Sequence, residues 1–239
     1  MHSADNTRDQ SVAAAGSGAF FGRRKGKKLR QHQSGLFATL LPKLAIDLTQ
    51  PAPGSLESLF PERVDHVRLE IGFGGAEHLL GEAERNPQCG FIGIEPFVNG
   101  MAKALAGIER RGLRNIRLHH GDATDLLAWL PAGSIARVDL LYPDPWPKRR
   151  HWKRRFVQHK SIAAIARILR NGGEFRFASD IPHYVAWTLR RVIASQSLVW
   201  TAERADDWRK PWSGFEGTRY EAKAKREGRV PCYLIFRKQ

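Results

Sequence analysis

Short apolar runs alternate with longer amphipathic segments along most of the chain. The runs are rich in Val, Ile, Leu and Phe and are typical of buried strands, whereas apolar residues at helical spacing fill several intervals between them. Seven strands are predicted, at residues 67–71, 90–94, 116–119, 138–142, 174–178, 198–201 and 232–236. Helices are predicted at residues 76–85, 98–110, 156–169 and 182–194, and Asp180 is placed to cap the last of them.

This alternation predicts an α/β fold with a mostly parallel sheet and helices on both of its faces. No long helix separates the last two strands, so one of them is expected to run antiparallel. Residues 36–48 predict a short helix or a segment across the core. We expect residues 1–20 to be a disordered tail, residues 21–35 a basic arm, and residues 36–239 one domain.

The charge of the chain is strongly positive. Its 39 Lys and Arg residues, against 24 Asp and Glu, give a formal net charge of +15. Basic residues cluster at 23–30, at 148–155 and again at 219–229. Such clusters favour a polyanion such as RNA as partner, with an anionic membrane surface as the weaker alternative. No run of apolar residues is long enough to predict a membrane span.

The two cysteines, Cys89 and Cys232, are too few for a disulfide framework or a Cys-rich zinc site. His119 and His120 are adjacent at the end of a predicted strand, where successive side chains point to opposite faces, so they cannot bind one metal ion. The first residues lack the apolar segment of a secretory signal. We therefore expect a cytoplasmic protein without a metal, either a monomer or a homodimer.

Acidic residues follow three successive predicted strands. Glu70 precedes the glycine turn that contains Gly72 and Gly74, Glu95 ends the second strand, and Asp122 follows the third. An acid ahead of the glycines is unsuited to a pyrophosphate, which prefers bare backbone amides. Glu95 is placed to accept from ribose hydroxyls, and Asp122 from an adenine amino group. Together they favour S-adenosylmethionine over NAD, although Asp122 alone is better explained as a helix N-cap.

A proline-rich segment at residues 143–147 follows the fourth strand. Because proline fixes φ and lacks an N–H, Asp144 and Trp146 are expected on a stiff loop at the same sheet edge. Trp146 is a candidate surface for stacking a base, or else a half-buried core residue. Residues 148–155 are candidates for phosphate contacts, or else a solvated helix face. From the residues alone, Asp144 is equally typical of a ligand-binding acid and of an acid that closes a turn.

With these motifs, the chain resembles the bacterial tRNA (guanine-N7)-methyltransferases from about Phe21 to its C-terminus. The resemblance rests on EIGFGG at 70–75, GIE at 93–95, GDA at 121–123, PDPWPK at 143–148, RHWKRR at 150–155, SD at 179–180 and TRYE at 218–221. It implies a Rossmann-like methyltransferase fold. It also implies methyl transfer from S-adenosylmethionine to N7 of the variable-loop guanine of tRNA, position 46 in tRNA numbering.

The resemblance also implies roles for single residues. Asp144 matches the catalytic position, and the cofactor contacts are Glu70, Glu95, Asp122 and Asp144, with Gly72 and Gly74 in the turn. The implied substrate contacts are Lys148, Asp180, Thr218, Arg219, Tyr220 and Glu221. The implied RNA contacts are Arg150, His151, Trp152, Lys153, Arg154 and Arg155. The chain departs from the family pattern at Ala76, at residues 96–97 and at the Arg219-Tyr220 pair.

Three other functions compete with this one. The Asp-Pro-Trp sequence at 144–146 partly resembles methyltransferases that act on an exocyclic amine. An RNA-binding module on a degenerate methyltransferase scaffold is expected to have lost the cofactor acids, which this chain retains. A nicotinamide dehydrogenase is disfavoured because Glu70 precedes the glycines.

Overall fold

A computed structural model describes residue 22, residue 24 and residues 26–239 of the chain. The described residues form a seven-stranded sheet in the order β3-β2-β1-β4-β5-β7-β6. The strands are β1 His66–Ile71, β2 Cys89–Ile94, β3 Ile116–His119, β4 Ile135–Leu141, β5 Leu169–Ser179, β6 Leu198–Trp200 and β7 Cys232–Lys238. All seven coincide with predicted strands, although β4 and β5 begin three and five residues earlier than predicted.

Strands β1 to β5 pair in parallel, whereas β7 is antiparallel to both of its neighbours, β5 and β6. The prediction of one antiparallel strand near the C-terminus is therefore confirmed. The sheet and its surrounding helices form the Rossmann-like fold of methyltransferases, as expected. In this topology the carboxyl ends of β1 to β4 lie along one edge, which is where ligands bind in open α/β sheets.

Helices pack on both faces of the sheet. They are α1 Gln31–Thr39, α2 Leu41–Leu44, α3 Glu77–Arg85, α4 Val98–Arg111, α5 Ala123–Trp129, α6 His159–Ile168, α7 Pro182–Ser195, α8 Asp206–Arg209 and α9 Arg219–Arg226. Two 3-10 helices lie at Leu56–Leu59 and Arg149–Arg154. The predicted cap of α7 is wrong. Ile181 is the N-cap residue and Pro182 opens the helix, while the Asp180 carboxylate binds Arg229.

The two faces of the sheet differ in polarity. Along β1, Val67, Leu69 and Ile71 point into the apolar core beneath α5, α6 and α7. The alternate residues point to the opposite face, where α3 packs and where several charged side chains are buried. There Arg137 binds both Glu82 of α3 and Asp139, the latter at 2.8 Å. Pairing compensates for the loss of hydration that these charges suffer.

The chain approaches the sheet edge from its N-terminal side. The predicted tail, residues 1–20, lies outside the described residues, and α1 begins at Gln31, within the segment predicted as a basic arm. Asn99 at the start of α4 accepts from the Gly26 amide at 2.8 Å and donates to the Lys27 carbonyl at 2.7 Å. These bonds hold the arm against α4. Among the residues that the structure describes, no helix is long and apolar enough to cross a bilayer.

Candidate active site

A cavity of about 650 Å³ lies at the carboxyl ends of the parallel strands. It receives side chains from the loops that follow β1, β2, β3 and β4, which explains why acids distant in sequence meet there. Among the predicted site residues, those that line it are Gly72, Gly74, Glu95, Asp122, Asp144, Lys153, Arg154, Arg155 and Tyr220. Three of the four predicted cofactor acids therefore face one cavity, and Glu70 does not.

The glycine turn after β1 is shaped by positive φ angles, 70° at Gly72 and 56° at Gly74, which glycine adopts without strain. The Gly74 amide donates to Glu95 at 2.6 Å, and the Phe97 amide donates to the same carboxylate at 2.9 Å. Burial raises the pKa of Glu95, and the two amide bonds partly offset this. Glu95 is thus a fixed acceptor on the cavity wall, with lone pairs left for a ligand.

Glu70, predicted to contact the cofactor, does not line the cavity. Its side chain is on the α3 face of β1, where it lies 2.8 Å from His78 Nδ1. The alternation of side chains explains the difference, because it brings Ile71 to the cavity and turns Glu70 inward. Burial raises the pKa of Glu70. Burial also lowers the pKa of His78, but the neighbouring carboxylate more than offsets this and leaves the pKa raised.

Asp122 is both a helix cap and a cavity residue. Its carboxylate accepts from the Thr124 amide at 2.8 Å and from the Thr124 hydroxyl at 2.6 Å, so it caps α5. It also lines the cavity. The interpretation as an N-cap is therefore correct for the bonds in place, and the same carboxylate remains accessible to a ligand.

The proline loop, residues 143–147, holds Asp144 at the rim of the cavity. The residue before the loop, Tyr142, has φ of 50°, and Trp146 within it has φ of 42°, which are uncommon values for aromatic residues. The Trp146 ring lies 5.0 Å from the Arg154 guanidinium carbon and 5.7 Å from the His151 ring. Partial desolvation raises the pKa of Asp144. Strained backbone of this kind persists where surrounding contacts impose it.

The basic strip, residues 148–155, does not present all of its cations to solvent. Lys148, Arg150 and Lys153 are exposed, whereas Arg155 is only 2% exposed. The Arg155 guanidinium lies among three aromatic rings, 5.2 Å from Trp152 and 4.8 Å from Trp187 at its nearest. A side chain in this position cannot reach RNA. The prediction of Arg155 as an RNA contact is therefore corrected, because it supports the loop from within.

The segment 218–221 closes over the glycine turn. Thr218 caps α9 by accepting from the Glu221 amide at 3.1 Å. Arg219 forms an ion pair with Glu77 at the start of α3, and the Tyr220 ring lies against Gly74 and lines the cavity. Glu221 differs from its predicted role as a substrate contact. It is 3% exposed and accepts from the Tyr233 hydroxyl at 2.6 Å.

Comparison with known proteins agrees with this arrangement. The model of a family of putative methyltransferases matches residues 65–233. A tRNA (guanine-N(7)-)-methyltransferase of Rhodopseudomonas palustris strain BisA53 is 60% identical over 235 residues, which cover 98% of this chain and 93% of that protein. The enzyme of the same name from Rhizobium meliloti strain 1021 is 57% identical, over 96% of this chain and 99% of its own. The chain belongs to the tRNA (guanine-N7)-methyltransferase family.

Solved structures share only the fold of this family member. The 16S rRNA methyltransferase KamB aligns with a TM-score of 0.57 at 17% identity, covering 80% of this chain and 95% of its own. A structure described as an antibiotic-related methyltransferase aligns with a TM-score of 0.52 at 16% identity, covering 80% of this chain and 97% of its own.

Lys148 and Asp180, two of the predicted substrate contacts, also lie outside the cavity. Lys148 is exposed at the start of the 3-10 helix, beyond the cavity wall. Asp180 follows β5 and lies 2.5 Å from Arg229 Nε, which ties the end of β5 to the segment after α9. Both are near the sheet edge, but neither lines the cavity.

The structure adds cavity residues that the sequence reasoning missed. Tyr142 lines the wall, and its position directly before the proline loop is a signal that could have identified it. Gln158, Lys160 and Ser161 also line the cavity from the start of α6. No motif marks them, because only the turn of the 3-10 helix brings the start of α6 back to the cavity.

Proposed function

We propose that this protein transfers a methyl group from S-adenosylmethionine to N7 of the variable-loop guanine of tRNA, position 46 in tRNA numbering. The observation that carries the proposal is the meeting of Glu95, Asp122 and Asp144 in one cavity that the basic strip borders. The high identity to the named relatives over nearly the full chain supports it. The cytoplasm, where tRNA is available and free thiols stay reduced, is the proposed location.

The cavity residues fit a cationic nucleoside better than a phosphate ligand. Glu95 would accept from the ribose hydroxyls, and Asp122 from the adenine amino group, while Gly72 and Gly74 let the backbone approach the ligand. Acids on three walls suit a positively charged group and would repel a pyrophosphate. S-adenosylmethionine supplies a methyl group activated by its sulfonium sulfur.

The reaction requires alignment rather than proton removal. Guanine N7 is an acceptor with a free lone pair and no proton, so the protein has no proton to remove from the nucleophile. Fixing the two reactants in line can contribute about 7–11 kcal/mol to lowering the barrier. The proline loop is suited to this task because its rings fix φ, and Glu95 because two backbone amides hold its carboxylate.

Asp144 is the acid proposed to act on the reacting base. Positive charge moves onto the purine during methyl transfer, and a fixed carboxylate nearby stabilises that redistribution. The same carboxylate could accept from guanine N1–H and the amino group, which would orient N7 towards the donor. Both actions need Asp144 at the cavity rim, which is where the structure has it.

Trp146 is proposed to stack on the guanine. Unpaired bases are commonly bound on aromatic rings, and its ring lines the cavity beside Arg154. For N7 to reach the donor, the nucleotide must leave its stack within the tRNA. Arg150 and Lys153, which are exposed, would then bind phosphates next to the extruded nucleotide.

The experiment that tests the proposal identifies the methylated atom. The protein is incubated with methyl-labelled S-adenosylmethionine and unmodified tRNA, and the RNA is digested to nucleosides. We expect label only in N7-methylguanosine, lost when the variable-loop guanine is replaced by adenosine. Label in an N2-methylguanosine or N6-methyladenosine would instead establish the alternative, a methyltransferase of exocyclic amines.

A further inference from the structure

Acidic residues are almost absent from one continuous quarter of the chain. Residues 145–202 contain twelve Lys and Arg but only two acids, Glu174 and Asp180. Both acids are already paired, Glu174 with Arg176 at 2.8 Å and with Arg237 at 3.2 Å, and Asp180 with Arg229. This segment comprises the basic strip, α6, β5, α7 and β6. With twelve basic and two acidic residues, this segment has a formal net charge of +10, compared with +15 for the whole chain.

Helix α7 continues the surface of the basic strip. The His183 ring lies 4.5 Å from Trp152, and Trp187, one turn further along, lies 5.5 Å from the same ring. The Arg191 guanidinium is stacked on Trp187, with its carbon 3.3 Å from the ring centre. From His183 to Arg190 the helix advances about 10 Å at 1.5 Å per residue. A row of cations and aromatic rings thus leads from the cavity rim along α7.

These cations lack the acidic neighbours that other surface helices have. On the opposite face, Arg111 pairs with Glu84 at 2.7 Å, and on α9 Lys223 lies 3.9 Å from Glu227. Within the described residues, Lys160, Arg190 and Arg191 have no carboxylate within ion-pair distance. The local field is positive: partial desolvation and the charges of Arg155 and Arg190 lower the pKa of His183.

We propose that the outer face of α7, with His183, Arg190 and Arg191, is a second contact surface for tRNA. It binds backbone phosphates at a distance from the methylated guanine and sets the orientation of the tRNA on the enzyme. Phosphate contacts of this kind position a nucleic acid without reading its sequence. The inference rests on the proposed function for the identity of the RNA.

RNA fits this surface better than an anionic membrane does. The exposed His183 ring lies against the half-buried Trp152, and the Arg154 guanidinium lies over the half-buried Trp146 in the cavity. Aromatic and guanidinium groups in alternation suit a polynucleotide. Membrane binding needs a wide apolar face on the helix, whereas Ile193 is the large hydrophobic residue that α7 exposes.

The test compares three single substitutions in binding to unmodified tRNA without a methyl donor, over a range of salt concentrations. Arg190→Gln removes a charge from α7, and Arg190→Lys retains it. Arg110→Gln is the matched control, since Arg110 is an exposed arginine on α4, on the opposite face of the sheet. We expect R190Q to weaken binding roughly threefold to tenfold and to reduce the slope of log affinity against log salt by about 1. R190K and R110Q should match the unmodified protein.

Equal affinity and slope for R190Q and R110Q would overturn the proposal. So would a loss confined to binding of vesicles that contain phosphatidylserine, with tRNA binding unchanged. The measurement is distinct from the test of the proposed function, because it depends on binding alone. If the unmodified protein fails to form N7-methylguanosine but R190Q still lowers the salt slope, the surface remains and only the reaction is wrong. Equal melting temperatures for R190Q and R190K would exclude unfolding as the cause of weaker tRNA binding by R190Q.

Discussion

The Arg155 Nε donates a hydrogen bond to the Pro145 carbonyl oxygen at 2.8 Å from a site enclosed by aromatic rings. A second bond, from Nη2 to the Trp146 carbonyl, is 3.4 Å long. The last residue of the basic strip therefore holds the backbone on either side of Trp146, whose φ is positive. Because Asp144 lies on the same loop, its position depends on a buried arginine eleven residues further along the chain.

Replacing Arg155 separates this role from RNA binding. Arg155→Met should lower the rate of methyl transfer at saturating tRNA by more than about tenfold, since small displacements of a catalytic group are costly. Its effect on the salt dependence of tRNA binding should be negligible, because the side chain is not exposed. Filter binding at several salt concentrations and single-turnover kinetics measure the two effects. Arg150→Gln is the comparison, and its salt slope should fall by about 1.

If R155M flattened the salt slope as much as R150Q, Arg155 would contact RNA after all. Arg155→Lys keeps the charge but cannot reproduce the fork of donors, so it should resemble R155M in rate.

The ion pair between Arg219 and Glu77 joins the segment over the cavity to α3. Both side chains are partly exposed, so the pair is worth at most about 1 kcal/mol. Glu77→Gln or Arg219→Gln should each speed release of S-adenosylmethionine by roughly fivefold at most. The double variant should release it no faster than either single variant, because only one interaction is lost. Stopped-flow release measures the rates, and additive effects would show that the two residues act separately.

Acid should weaken the fold through Glu82. Burial alone would raise the pKa of Glu82, but Arg137 and Arg85 lower it to about 2. A carboxyl whose pKa is lower in the folded state contributes stability above its unfolded pKa of about 4.5, and this is lost as the pH falls towards 2. Glu82→Gln should therefore reduce the free energy of unfolding at pH 7 by on the order of 3 kcal/mol.

Urea unfolding at pH 7, 5 and 3 measures this contribution, and the gap between E82Q and the unmodified protein should narrow as the pH falls. Glu84→Gln, on the same helix but exposed, should change stability by less than about 1 kcal/mol. A gap that stays constant with pH would mean that Glu82 contributes through packing rather than through its charge.

The strands and the shared cavity were predictable because they follow from local patterns. Apolar runs predict strands, and acids after successive parallel strands must meet at one edge. The antiparallel β7 followed from the missing crossover helix. The ends of helices and strands were less predictable. The helix predicted to begin at residue 156 begins at His159, and residues 149–154 before it form a separate 3-10 helix.

The contacts that the sequence did not predict concern charged residues whose partners are distant in sequence. Nothing near Glu70, Asp180 or Glu221 indicates that each is bound by another side chain. Their partners are respectively His78, Arg229 and Tyr233. Only the packing of separate elements brings these groups together. Motif positions placed Glu95, Asp122 and Asp144 at one cavity, whereas the direction of each side chain depended on tertiary contacts.

Single-turnover methyl transfer by Asp144→Asn tests whether Asp144 acts on the reacting guanine. Asp125→Asn, an exposed acid on α5, is the control. We predict that D144N slows transfer by roughly 100-fold or more while its affinity for S-adenosylmethionine changes by less than about threefold. Transfer by D144N at the rate of the unmodified protein would show that the Asp144 carboxylate does not act on the guanine.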